Sequence, residues 1–481
     1  MAVETLHLSI LDQCAVRCYT PILKIFPFPK KDQIGSATSA IQAGLQLTLE
    51  TFPFLAGTVQ PANSESGKLS VTYERVVPDV ITANLFSASS ILPPKECFHT
   101  YKQLKRDGMP QSFFTGEMFC PNALRNHPGV LRNAEGIMDC KHAVPVLAVE
   151  VFFIAGGLVL SMYSHHSVCD GVGMHNFWKH FAANVYCQRS GRLPPSLESF
   201  IDESTLRLQI DSNIPTFGKA PRVGVYGPCN YTPTLPDTAP CTARIFALSA
   251  ERIRAMRDEL GRLVKTVTPI TQCNILAALV WIHVTRARHK RLVQHGHTDT
   301  RIGIAVNLRE RVKPQLQPSY MGNMALMARA TASIARFNAE SCVTSATIVP
   351  AIQAINGAIS NATNAWAQRH FAYFQSIDRI IDTEISLQFN RGPDLYITSW
   401  MHFGAEYEWD IPGTTSKSPE YIRRTHSPSD GGVIIMPRRI EVDTCGREAP
   451  YEVLIRLASE DMGGLVNKEG GLASWSERVI G

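Results

Sequence analysis

Residues 146–171 read VLAVEVFFIAGGLVLSMYSHHSVCDG, and this stretch decides the fold class. Val146 to Phe153 and Leu158 to Tyr163 are runs of β-branched, aromatic and aliphatic residues joined through Ala155-Gly156-Gly157, which predicts a hairpin. The second run ends at Ser164-His165-His166. From Val172 to Tyr186, Met174, Phe177, Trp178, Phe181 and Val185 recur at helical spacing, so the order is strand, short loop, helix. Other segments follow the same alternation. Thr38 to Thr51 carries Ile41, Leu45, Leu47 and Leu49 in a helical pattern that Pro53-Phe54-Leu55-Ala56-Gly57 stops. Ser249 is placed to cap a helix over Ala250 to Val264, Thr268 to Arg288 reads as an apolar helix, and Arg301 to Val306 returns as a strand. Alternating helices and strands predict an α/β protein.

At 481 residues the chain is longer than a single core usually supports, and two domains are expected. Pro194, Pro195, Pro215, Pro221, Pro228, Pro233, Pro236 and Pro240 mark residues 188–242 as a crossover linker between domains 1–187 and 243–481. Hydrophobic residues at 44% and charged residues at 19% exclude a disordered chain. Net charge is +5, and the basic cluster Arg286 to Arg291 lacks the interleaved aromatics of a nucleic-acid surface, so no nucleic-acid partner is expected. The twelve cysteines include no CxxC pair, and Cys14 and Cys18 lack the further ligands of a zinc site, which predicts free thiols and no metal. Met1 to Asp12 has neither the basic start nor the apolar block of a signal peptide, and no apolar run reaches membrane-spanning length. A soluble cytoplasmic protein is the expectation.

A histidine followed four places on by aspartate occurs three times. His295-Gly296-His297-Thr298-Asp299 lies in a polar connection and reads as a solvated loop. His426-Ser427-Pro428-Ser429-Asp430-Gly431-Gly432 reads as a flexible turn from its Ser, Pro and Gly content. His166-Ser167-Val168-Cys169-Asp170-Gly171 differs because it falls where an apolar strand gives way to a helix, which fixes an imidazole at an element edge. There His166 can serve as a general base while Asp170, turned the other way, anchors the loop by pairing with a cation, and Gly171 leaves room beside it. The competing reading is a core histidine satisfied by backbone hydrogen bonds.

Further motifs, in order along the chain, break the tie. They are Leu8-Ser9-Ile10-Leu11-Asp12-Gln13, Leu45 to Gly57, His165 to Gly171, Asn274 to Trp281, Asn307-Leu308-Arg309, Tyr320-Met321-Gly322-Asn323 and Thr398-Ser399-Trp400. Together they resemble the BAHD acyltransferases. At the family's D-F-G-W-G this chain has Asp410-Ile411-Pro412-Gly413-Thr414, without its aromatics, and so is closest in pattern to the fungal members, the trichothecene 3-O-acetyltransferases among them.

The resemblance implies two similar-sized α/β domains, each a mixed sheet flanked by helices, with the active-site channel at their interface. It implies an acyl-CoA-dependent O-acyltransferase with acetyl-CoA as co-substrate, no permanently bound cofactor, and a monomeric state. The acceptor it implies is a hydroxyl of an apolar fungal terpenoid, meroterpenoid or alkaloid. His166 is then the general base, with Asp170 as the second motif residue. Thr398 and Trp400 line the carbonyl and oxyanion side, Arg309 pairs with Asp170, and Gly171 and Asp410 give structural support. Cys169 is expected to be packed and not nucleophilic. Two alternatives stay open: a stand-alone condensation-type enzyme that takes its acyl group from a carrier protein, and a catalytically dead binding homologue.

Overall fold

The computed structural model describes residues 2–90, 99–134, 142–190, 202–340, 342–427, 429–439, 446, 448–467 and 469–481. Leu147–Ile154 pairs antiparallel with Gly157–His165, turning at Gly156, whose φ of +79° suits glycine. Every residue of both strands is buried, which is why they read as continuous apolar runs without alternation. Tyr19–Pro27 adds antiparallel to Gly157–His165, with Tyr19 opposite His165, and Phe86–Ser90 closes the other side in parallel with Leu147–Ile154. The fifth strand of this sheet, Tyr421–Arg423, comes from far along the chain and pairs with Tyr19–Pro27.

The second sheet has seven strands in the order Ala325–Ser333, Asp299–Asn307, Leu395–Ser399, Gly432–Ile435, Tyr451–Ala458, Cys241–Leu248 and Ser476–Ile480. Leu395–Ser399 runs parallel to both its neighbours, and the remaining pairs are antiparallel. A small antiparallel sheet of four strands, Val3–Leu6, Lys68–Glu74, Thr58–Asn63 and Val144–Pro145, lies on the first half.

Helices cover these sheets along the apolar stripes seen in the sequence. Ile34–Thr51 packs on Gly171–Ser190 so closely that a Cβ at Gly44 would come within 2.4 Å of Val185 Cγ2. Ala250–Leu263 is capped by Ser249, whose side chain accepts from the Arg252 amide. Gln272–Gln294, capped reciprocally by Thr271 and Asn274, is the buried central helix of the second half. It starts and ends later than the apolar pattern suggests, because the Thr271 cap sets its beginning.

We propose 1–187, 188–242 and 243–481 as the domain division. Two findings bear on it. The proline-marked segment contains a helix, Glu203–Ser212, capped by Asp202, whereas Pro194 and Pro195 lie outside the described residues. Trp400, Phe403, Trp409, Ile411 and Ile422 also pack in the same core as Phe26, Trp178 and Phe181, so the second half sends a segment back into the first. Among the described residues no helix is long and apolar enough to cross a membrane.

Candidate active site

The histidine strand leaves its sheet through a short series of hydrogen bonds. The His165 amide donates to Val146 O and the His166 amide to Cys18 O, each at 2.8 Å, and Val168 N then turns back to His165 O at 3.0 Å. Asp170 starts the next helix: its Oδ1 accepts from the amides of Val172 and Gly173 at 3.0 Å, as an N-cap does. The same carboxylate receives both Arg309 Nη1 and Nη2 at 2.9 Å and the Met324 amide at 2.8 Å. Burial alone would raise the Asp170 pKa, but the Arg309 charge and these hydrogen bonds outweigh it and hold the carboxyl below its ordinary value. Arg309 also donates from Nη2 to Tyr320 O and Gly322 O, at 3.0 and 2.7 Å, and from Nη1 to Asn307 Oδ1 at 3.2 Å.

Two glycines make the approach possible. A Cβ on Gly173 would lie 1.9 Å from Met321 O, and one on Gly171 would lie 2.3 Å from Phe403 Cζ. The Tyr320–Asn323 turn therefore docks directly on the first turn of the helix.

The loop is clamped from the other side as well. Asn323 Nδ2 donates to His166 O at 2.8 Å and to Asp12 Oδ1 at 2.9 Å. Asp12, buried and bonded to Ser9, also accepts from Arg207 Nε at 3.0 Å, while Arg207 Nη2 reaches Val168 O at 3.0 Å. Arg207 pairs with Glu203 one turn earlier, and the Tyr320 ring lies 5.4 Å from the guanidinium carbon of both Arg207 and Arg309. Sequence reasoning missed Arg207. The signal was present as Asp202 followed by Glu203 and Arg207 at i, i+4, a cap and an ion pair inside a segment read as linker.

His166 is thus held through its backbone. Its ring is partly open to solvent, and Nδ1 is buried with no hydrogen-bond partner among the described residues. Asp170 faces Arg309, so it acts on the histidine only through the loop. Its neighbour His165 is fully buried, and burial, followed by the charges of His166 and Arg17, pushes its pKa down to about 3. His165 is therefore neutral near pH 7. Cys169 is packed, and burial raises its thiol pKa well above the ordinary value.

Thr398 and Trp400 lie at the end of the strand Leu395–Ser399. Trp400 donates its amide to Ile435 O at 2.8 Å, and its ring stacks on Phe403 at 5.6 Å, the ring that seats against Gly171. The strand end and the start of the histidine helix are therefore in one packed unit, with Thr398 partly exposed. Asp410 lies apart, in a surface ion pair with Arg189 at 2.9 Å. Residues 410–414 carry no aromatic side chain, but the residue just before them does. Trp409, one residue earlier, is buried against Phe26, Trp178 and Phe181 with ring centroids 6.1, 5.7 and 5.0 Å away.

The other two histidine motifs differ from the first. His295 ends a helix, its Nδ1 2.9 Å from Arg291 O, and Gly296 turns the chain with φ +75°. The turn at His426 is firmer than its composition suggests: Asp430 is buried, pairs with Arg288 at 2.7 Å and accepts from the Ala458 amide. Pro428 lies outside the described residues.

A protein-family model described as the Transferase family matches residues 134–470, and one described as the trichothecene 3-O-acetyltransferase-like N-terminal domain matches residues 18–184. The chain is 24% identical to trichothecene 8-O-acetyltransferase of Fusarium sporotrichioides over 98% of both proteins. It is 25% identical to fumigaclavine B O-acetyltransferase of Aspergillus fumigatus over 96% of this chain and 95% of that protein. The crystal structure of F. graminearum TRI101 complexed with coenzyme A and T-2 mycotoxin has the same fold. It matches with a TM-score of 0.77 over 99% of this chain and all of that one, at 18% identity.

Proposed function

The chain belongs to the Transferase family, and from that premise we propose that it is an acyl-CoA-dependent O-acyltransferase acting on a hydroxyl of an apolar fungal natural product, with acetyl as the acyl group. His166 takes the acceptor hydroxyl proton as the oxygen attacks the thioester carbonyl carbon. The C–S bond then breaks, the ester forms, and the proton passes from His166 to the departing CoA sulfur. Trp400 and Thr398 stand on the side of the developing oxyanion, where an indole N–H is a donor. Both substrates are held together and react directly, so no acyl-enzyme is required. A high thiol pKa and full packing leave Cys169 unsuited to nucleophilic attack.

The observation that carries this reading is the two-sided clamp on the histidine loop. Asn323 and Arg207 hold the carbonyls of His166 and Val168, and Arg309 holds Asp170, while the His166 ring has no acidic partner of its own among the described residues. The arrangement positions a base without committing its ring to a protein hydrogen bond. The test is to incubate the enzyme with acetyl-CoA and candidate alcohols and follow products by mass spectrometry. A product heavier by one acetyl group is expected. Product formed only from a carrier-bound acyl thioester, with acetyl-CoA inert, would overturn the assignment of the donor.

A further inference from the structure

Most of the buried arginines among the described residues are paired with a carboxylate. Arg207, Arg288, Arg291, Arg309 and Arg423 each face a carboxylate, namely Asp12, Asp430, Asp461, Asp170 and Glu452. Arg424 and Arg456 face none among the described residues. Arg456 is 6% exposed, and its one side-chain hydrogen bond there runs from Nη2 to Tyr396 Oη at 2.6 Å, with Nε buried and unpartnered. Arg424 is partly exposed, makes no side-chain hydrogen bond with the described residues, and also has a buried, unpartnered Nε. Burial and the adjacent Arg456 charge lower its pKa to about 10. Two neighbouring like charges, one of them buried, are costly without a carboxylate beside them, and a bound anion would lower that cost.

The surroundings look built to hold them. A Cβ on Gly432 would lie 2.4 Å from Arg456 Nη2 and 2.6 Å from Tyr396 Oη, so the guanidinium and the phenol sit side by side only because residue 432 has no side chain. Tyr396 accepts from Arg456 and keeps its own O–H to donate. The location ties the pair to the histidine. The Cys18 thiol feels the charges of both arginines, and the Cys18 carbonyl receives the His166 amide. Thr425, next to Arg424, is hydrogen-bonded at 3.0 Å to Tyr163 of the histidine strand.

We propose that Arg424 and Arg456, with Tyr396, form a carboxylate-binding subsite beside His166, so that one of the two substrates carries a carboxylate. This rests on the acyl-transfer reading. Guanidinium forks match a carboxylate in shape and charge. The coenzyme's phosphates are a poorer fit, because they lie a pantetheine arm away from the reacting thioester carbon, whereas Arg424 adjoins Thr425, which bonds the histidine strand at Tyr163. With an acetyl donor the carboxylate belongs to the acceptor, a hydroxy acid. With a dicarboxylic acyl thioester it belongs to the donor.

Calorimetric titration of the full-length enzyme separates the cases. Wild type, Arg424→Gln and Arg456→Gln are titrated with succinyl-CoA, acetyl-CoA and free CoA, and separately with 4-hydroxybenzoate and its methyl ester. Wild type should prefer the carboxylate-bearing member of one pair by about 10- to 100-fold, the strength of a hydrogen bond to a charged group. Each variant should lose that preference, bind free CoA as wild type does, and melt, unliganded, no lower than wild type. Preference within the CoA thioesters places the carboxylate on the donor, and preference for the acid over the ester places it on the acceptor. The absence of both preferences in wild type overturns the subsite, as does their survival in the variants. Loss of free-CoA binding in the variants overturns it too, by assigning the arginines to a coenzyme phosphate. Failure of wild type to bind any CoA form counts against the acyl-CoA reading, and the acid-versus-ester pair then decides the subsite alone.

Discussion

Replacing Arg309 with methionine tests the anchor of the site. The guanidinium gives two 2.9 Å hydrogen bonds to Asp170 and further ones to the carbonyls of Tyr320 and Gly322. In Arg309→Met, Asp170 keeps the amides of Val172, Gly173 and Met324 but loses its only charge partner among the described residues, and it is 3% exposed. Breaking a buried pair from one side costs about 3–5 kcal/mol, a large part of a typical folding free energy. Asp170→Asn alone strands the arginine and should cost a similar amount. The double variant strands neither charge, so its loss should fall short of the sum of the single losses by about 2 kcal/mol or more. The pH dependence has a definite sign. A carboxyl held below its ordinary pKa stabilises the fold above the unfolded pKa of about 3.9, and that contribution fades as pH falls through the folded value. In Arg309→Met burial prevails and raises the pKa, so protonation relieves the variant, and its deficit against wild type should narrow as pH falls from 7 toward about 4. Urea unfolding followed by tryptophan fluorescence reads both effects. Additive losses within about 0.5 kcal/mol, together with a deficit that does not change with pH, would refute the anchoring role.

Three other outcomes are expected. His166→Ala should lower kcat by roughly 10²–10⁴-fold with the fold retained, while His295→Ala leaves it unchanged; more than about a tenth of wild-type activity in His166→Ala would remove it as the base. Gly171→Ala drives a methyl into the Phe403 ring and should cost about 1–3 kcal/mol with loss of activity, and adding Phe403→Leu should recover much of both; no recovery would mean that the ring contact is not the cause. Lys24 is buried, donates to Phe403 O at 3.1 Å, and is pushed by burial to a pKa of about 7. The unfolded chain therefore binds the extra proton between about pH 7 and 10, so wild-type stability should rise across that range by up to about 1.4 kcal/mol per unit, and Lys24→Met should flatten the rise in unfolding scans.

The parts of the site legible in the sequence are those where local pattern and position coincide. Two apolar strands, a Gly-Gly turn and a helical stripe placed His166 at an element edge, and that placement set it apart from the motifs at His295 and His426. Long-range partners left weaker traces. Asp12 and Asn323 stood in recognisable motifs, yet their hydrogen bond spans 311 residues, which no local periodicity reports. Arg207 was hidden because prolines dominate its neighbourhood, although its own ten-residue helix has a cap and an ion pair. The turn at His426 was misread for a related reason. Ser, Pro and Gly report how a chain bends, but the burial of Asp430 depends on Arg288, 142 residues earlier. Trp409 was overlooked because it precedes Asp410, two positions before the place where the motif carries its first aromatic.

The charges around the histidine loop are arranged asymmetrically, and this bears on the chemistry. On the supporting side, Arg309 pairs with Asp170 and Arg207 with both Asp12 and Glu203, two cations against three carboxylates, so the anchors add no positive field at the ring. On the side of Arg424 and Arg456 no carboxylate balances the cations among the described residues. On the acyl-transfer reading, a thioester carbonyl under attack gains negative charge in its transition state, and these cations favour that change to the extent that a bound carboxylate leaves them unneutralised. The same field discriminates among ligands, because it repels a cationic acceptor such as a protonated amine and draws in a neutral or anionic one. On the acyl-transfer reading, a hydroxyl is therefore expected to react better at this site than a protonated amine, which must first give up a proton. Acylation rates for an alcohol and its amine isostere, compared across pH, should therefore favour the alcohol most strongly below the amine pKa, and the gap should shrink in Arg424→Gln. Equal rates for the two acceptors at all pH values would show that the cations do not face the acceptor.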